Sequence, residues 1–272
     1  MKGLRAVQTA LVALGLAGAA TGSAQVALAP GQTYSQDFNS LANTGTTNAF
    51  ADNSTLLGWY SARAGGTGGP GANTVYLAGN GGTTNGGVYS FGSTGSSERA
   101  LGALPTNALG VFCHGLRVQN ASSSAIPGFQ LSYTGEQWRN GGVVTANTLT
   151  IEYRIVAAGT TFDLGCNTST DWSSVSALTF TSPTTSTTAA ALDGNASANR
   201  AELSAALGAP LMPGQELWIR WTDINEAGND HGLALDDVTL AASPTAAPVL
   251  DIAAASEFEG NSGQTPLHFA LT

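Results

Sequence analysis

The chain has 272 residues, 35 of them glycine, and 18 acids against 9 bases give it a net charge of −9. That balance opposes contact with phosphate backbones and excludes nucleic-acid binding by this segment, while it suits divalent cations and solubility outside the cell. Abundant Gly, Thr, Ser and Asn exclude a helical bundle and predict short strands joined by tight turns.

The first element is a targeting segment. Lys2 and Arg5 precede the apolar run Ala10–Ala20, which is too short to span a bilayer, and Gly22-Ser23-Ala24 fits a cleavage site before Gln25. Residues 1–24 therefore read as a signal peptide. Beyond it no run is apolar enough to cross a membrane, so the mature chain is expected to be secreted or displayed on the cell surface. Cleavage leaves seven arginines against eighteen acids, a net charge of −11.

Thr33–Phe38 reads as the first strand, and Leu56–Tyr60 brings Trp59 to the core. Arg63–Asn73 is a Gly-rich turn or loop. Val75–Leu77 and Val88–Phe91 are short strands around a second Gly-rich stretch. Leu109–Gln119 is a long, mostly apolar strand. The alternations of Phe129, Leu131 and Tyr133, of Leu149, Ile151, Tyr153 and Ile155, and of Leu217, Ile219 and Trp221 mark antiparallel strands with one buried face. Ala198–Leu207 suits either a short helix or a strand. With no βα alternation, the expected fold is all-β: an antiparallel two-sheet β-sandwich, a jelly roll, over residues 32–242. Residues 243–248 form a Pro-bearing linker, and residues 249–272 open a second β module truncated at Thr272, as expected of a fragment of a longer protein.

Cys113 and Cys166 are the only cysteines. In an exported chain two cysteines suit one disulfide, with two buried thiols as the alternative. No CxxC accompanies them, which argues against zinc.

The richest stretch is Leu217–Leu240. Asp236 and Asp237 sit inside a strand otherwise made of Leu233, Leu235, Val238 and Leu240. Strict alternation would point one carboxylate at an apolar layer, at a cost unless a cation or backbone donors meet it. Calcium is the expected cation, with oxygens from Asp37 or Asn39 on the first strand; backbone N–H groups at a turn are the alternative. Asp223–Asp230 (DINEAGND) invites comparison with an EF-hand loop but fails it, because Ala227 and Ala234 stand where ligands are needed, so a tight strand connection is the simpler reading. Trp138 and Trp218 are candidate sugar platforms, although an aromatic in a strand is more often core. No GxSxG elbow is present, and Glu136 and Glu152 form a glycosidase pair only if one cleft holds both.

Phe38-Asn39, Gly58-Trp59 and Leu235–Leu240 (LDDVTL) resemble the opening and closing segments of MAM-like and carbohydrate-binding-module-like jelly rolls. The resemblance implies adjacent first and last strands and a structural calcium, with Asn39 in place of the usual Glu. Ser132–Gly141, Ala191–Arg200 and Trp218–Leu240 resemble a module of exported bacterial proteins that stands beside adhesive repeats, surface-sorting signals or an extracellular endonuclease domain. Phe258–Gly263 with Leu267–Thr272 resembles the opening of a Calx-beta domain, which implies a calcium role for Glu259. Together these lead to a non-catalytic binding or adhesion module of a larger calcium-dependent extracellular protein, facing a glycan or surface protein. The alternatives are an accessory head of an extracellular endonuclease and a glycan-binding module.

Overall fold

The computed structural model describes residues 25–166, 170–208, 210–245 and 262. The signal-peptide and Calx-beta readings, Glu259 included, fall outside the described residues. Among the described residues seventeen strands run, in chain order, β1 Val26–Leu28, β2 Thr33–Gln36, β3 Asn48–Ala49, β4 Trp59–Ala64, β5 Gly71–Ala72, β6 Val75–Gly79, β7 Gly87–Phe91, β8 Ala100–Leu104, β9 Val111–Asn120, β10 Phe129–Asn140, β11 Thr148–Val156, β12 Ser173–Ser174, β13 Phe180–Thr181, β14 Ala190–Ala191, β15 Arg200–Leu207, β16 Glu216–Asp223 and β17 Gly232–Ala242. They form two sheets. The first has the order β12-β11-β16-β9-β4-β5, with β1 on β9 and β13 on β11; the second has the order β14-β10-β17-β8-β7-β6-β3, with β15 on β10 and β2 on β17. From β9 to β11, and again from β15 to β17, the chain crosses between the sheets at each step. Among the described residues, only β1–β9 and β6–β7 pair in parallel.

The expected all-β, two-sheet sandwich is the fold. Between its sheets lies one large core. Trp59 stacks on Trp221 at 4.9 to 5.3 Å from its aromatic neighbours, with Phe38 edge-on at the shorter distance. The Trp59 indole N–H donates to the Tyr34 hydroxyl at 2.7 Å, tying β2 to β4 across the layers. β2, the strand expected to come first, lies beside the last strand β17, with Gln36 opposite Val238 and Tyr34 opposite Leu240, while the unexpected β1 pairs with β9 in the other sheet.

Of the two alternatives for Ala198–Leu207 the structure takes the strand, and several short elements are added to the expected set. The segment 200–207 is a strand, paired along β10. β8 was not visible in the sequence, because it is buried on both faces and shows no alternation. Its Gly102 is required by close approach: a Cβ there would stand 2.2 Å from the Leu233 carbonyl oxygen.

Candidate cation site on the outer face of the second sheet

The conflict posed by Asp236 and Asp237 is resolved by a β-bulge. Along β10 and β17 the register passes from Ser132↔Thr239 to Thr134↔Asp236, so two residues of β17 oppose one of β10. Asp237 takes φ +49°, the left-handed region that Asp tolerates better than most residues. Side-chain parity therefore flips within the strand. Leu233 and Leu235 before the bulge and Val238 and Leu240 after it all enter the core, Asp236 turns to the outer face beside Ala234, and Asp237 is exposed.

On that outer face Asp236 meets Glu136 from β10 and Glu98 from the turn before β8. One carboxylate oxygen from each lies within 4.8 Å of the other two, the only such group of three among the described residues. Glu136 is 1% exposed and Asp236 5%. The Trp138 indole N–H donates to Glu136 Oε2 at 2.8 Å, and the Asp237 backbone N–H donates to Asp236 Oδ1 at 2.7 Å. The Asn195 amide donates to Glu98 Oε2. Glu136 Oε1 and Glu98 Oε1 are buried with no donor. Burial, and then the charges of the neighbouring acids, push Asp236 up to about 9; burial with the nearby Glu98 charge pushes Glu136 up to about 7, against the indole bond and the pull of Arg200 opposite it on β15. Such a site favours either shared protons or a hard cation with oxygen ligands. The two buried Oε1 atoms without donors fit the cation, although a proton shared between Glu98 and Asp236 is the competing arrangement.

Only Asp236 of the sequence-derived metal residues belongs to this cluster. Asp37 Oδ1 accepts its own neighbour's N–H, from Asn39, at 3.2 Å. Asn39 Oδ1 accepts the Arg99 backbone N–H at 2.8 Å; it positions the turn that carries Glu98 and does not join the cluster. Exposed Asp237 shapes the bulge. Glu98 and Glu136 were missed because their partners lie 38 to 138 positions away and no local pattern joins them.

The two tryptophan platforms are corrected by burial. Trp138, 1% exposed, lies under Gly194 and parallel to Phe91 at 6.1 Å. Trp218, 0% exposed, does face away from Trp221, yet a strap covers it: Phe162 packs on it at 4.6 Å and the Arg154 guanidinium at 4.3 Å. The strap is pinned by the disulfide Cys113–Cys166, by Leu164 seated over Gly115, and by Arg220 donating to the Leu164 carbonyl at 2.6 Å. Between the strap and β4–β5 opens a cleft of about 370 Å³. Tyr60 and Phe162 form its aromatic wall, with ring centroids 3.9 Å apart, and Asp52, Arg63 and Asp163 supply polar groups. Glu152 is remote from Glu136, being paired to Arg220 on the other sheet.

A search of known protein families finds no match to the sequence, and neither does a search of characterised proteins. Solved structures offer distant likenesses. TmCBM61, determined with β-1,4-galactotriose, aligns at 9% identity and TM-score 0.28 over 55% of this chain and 74% of its own. The K1 cleaved adhesin domain of Lys-gingipain from Porphyromonas gingivalis aligns at 13% identity and TM-score 0.31, over 78% of this chain and 99% of its own. The CBM22-1–GH10 modules of a Clostridium thermocellum xylanase, determined with xylohexaose, align at 9% identity and TM-score 0.31, over 76% of this chain and 30% of theirs.

Proposed function

We propose that this chain is a non-catalytic extracellular binding module whose sandwich is braced by calcium at Glu98, Glu136 and Asp236. The observation that carries the reading is the trio of carboxylates within 4.8 Å, two of whose buried oxygens, Glu98 Oε1 and Glu136 Oε1, lack donors. When bound, the ion would neutralise three acids at the junction of β10, β17 and the turn before β8. Those residues would hold it, and Asn39 would keep Glu98 in place through Arg99. Because Asp236 sits one residue from the bulge, the ion would also fix the register that sends the leucines inward. The disulfide suits an oxidising compartment, in keeping with a secreted or surface location. Glu136 and Asp236 are too enclosed for a polymer to reach, which supports binding rather than hydrolysis. Melting the chain with calcium and with EGTA tests the reading: calcium raises the melting temperature, and identical curves reject it.

One observation favours a glycan as the ligand. The Tyr60–Phe162 cleft joins an aromatic wall to carboxylate and guanidinium groups, the pairing that sugar rings need for stacking and hydroxyl bonding. A glycan array tests it. Tyr60→Ala is expected to remove any hit, and retention by that variant would place the ligand elsewhere.

A further inference from the structure

The connection from β16 to β17, Ile224–His231, holds a second set of oxygens without donors. Asp223 ends β16 on the face of Trp221 and is 1% exposed, and neither of its carboxylate oxygens has a hydrogen-bond partner. Buried Glu226 Oε2 and buried Asn225 Oδ1 are also without donors. The other atoms of these residues are engaged. Glu226 Oε1 accepts the Thr148 backbone N–H at 3.1 Å, and the Asn225 amide donates to Asn107 Oδ1 at 3.0 Å. Asp230 Oδ1 accepts the Glu226 backbone N–H at 2.8 Å. Four unpartnered acceptors thus come from three residues within four positions.

Arg139, which shares a cleft with Asp230, is committed to the Gly81 carbonyl at 2.9 Å. The charges acting on Asp223 are those of Glu226 and Asp230, and they add to burial in raising it well above its ordinary value. His231 is held neutral, since Nδ1 accepts the Gly141 N–H at 2.9 Å while Nε2 meets the Thr145 carbonyl at 3.2 Å. An unpaired buried carboxylate costs several kcal/mol in order-of-magnitude terms, about what makes a bound cation or proton the stable alternative. A proton shared between Glu226 and Asp230 satisfies that pair and still leaves the Asp223 carboxylate and Asn225 Oδ1 without a partner.

From this geometry we infer that the Asp223–Asp230 connection is a second divalent-cation site, distinct from the Glu98 cluster, with Asp223, Asn225 and Glu226 as protein ligands and Asp230 beside them. The oxygen-only donor set selects a hard ion, and calcium's tolerance for six to eight mixed ligands, water included, suits it better than magnesium's strict octahedron. Among the described residues no second trio of acidic groups lies within 4.8 Å, so Asn225 and water would complete the shell. Asp230, with Asn107, Asn229 and Arg139, lines an adjoining surface cleft of about 430 Å³.

The test is calcium titration of the EDTA-stripped full chain by calorimetry, with the number of ions per chain as readout. Two are expected for the wild type. Glu226→Gln, a partly exposed and structurally mild change, and Asp223→Asn should each leave one. Glu136→Gln should also leave one, and that remaining ion should disappear when Glu226→Gln is added. If Asp223→Asn fails to fold, Glu226→Gln alone decides. An ion count unchanged by Glu226→Gln overturns the second site, whereas a count lowered by Glu226→Gln but untouched by Glu136→Gln upholds it and rejects the first.

Discussion

Replacing Glu136 with glutamine should shift stability in opposite directions with and without calcium. The side chain is buried, and its carboxyl is carried from an ordinary 4.5 to about 7. At pH 8 the ionised form therefore destabilises the metal-free fold by about 3 kcal/mol, at roughly 1.4 kcal/mol per tenfold change in proton affinity. Glutamine has the same shape, its amide oxygen can still accept the Trp138 indole N–H, and its NH₂ can donate to the carboxylates of Glu98 or Asp236. In EDTA at pH 8 the variant should therefore melt above the wild type. For a domain of this size about 3 kcal/mol corresponds to a rise of about 6–12 °C. In calcium at a hundred times its dissociation constant the wild type gains about 2.7 kcal/mol, and the variant should gain far less from this site. Near-UV circular dichroism melts of both proteins, each with EDTA and with calcium, measure all four values. A variant that melts lower in EDTA, yet keeps the full calcium increment, would refute the reasoning.

The metal-free wild type should also lose stability as pH rises. The folded-state values of Glu136 and Asp236 lie above their unfolded ones, so the folded state binds protons more tightly, and stability declines from about pH 4 towards pH 9, through the raised values of about 7 and about 9. Saturating calcium should flatten that slope, as urea midpoints across the range will show. Reducing Cys113–Cys166 opens a connection of 53 residues, which chain entropy values at about 4 kcal/mol; limited proteolysis should then cut first within residues 157–172. Asp237→Val should cost about 1–2 kcal/mol, because a β-branched residue resists the left-handed backbone of the bulge. Phe162→Ala should lower glycan retention in affinity electrophoresis and, because Phe162 also covers Trp218, lower the melting temperature as well.

The large features were legible because they are local. Period-two runs on β10, β11 and β16 announced the sandwich, and Asp236-Asp237 announced a place where alternation would fail. How it fails was not legible. A bulge depends on the pairing of two strands separated by about a hundred residues, and the sequence of one shows only a contradiction. The same reason hid Glu98 and Glu136, whose meaning comes from their nearness to Asp236. Trp218 shows the opposite limit: its outward direction follows from parity, but the strap that covers it is held by a disulfide and by Arg154 and Arg220, none of which alternation reveals.

Diffraction from crystals grown in calcium, recorded at a wavelength where calcium scatters anomalously, tests the brace most directly. The account requires an anomalous peak bounded by oxygens of Glu98, Glu136 and Asp236. Clear density for the three side chains drawn together without a peak, their oxygens close enough to share protons, would contradict it.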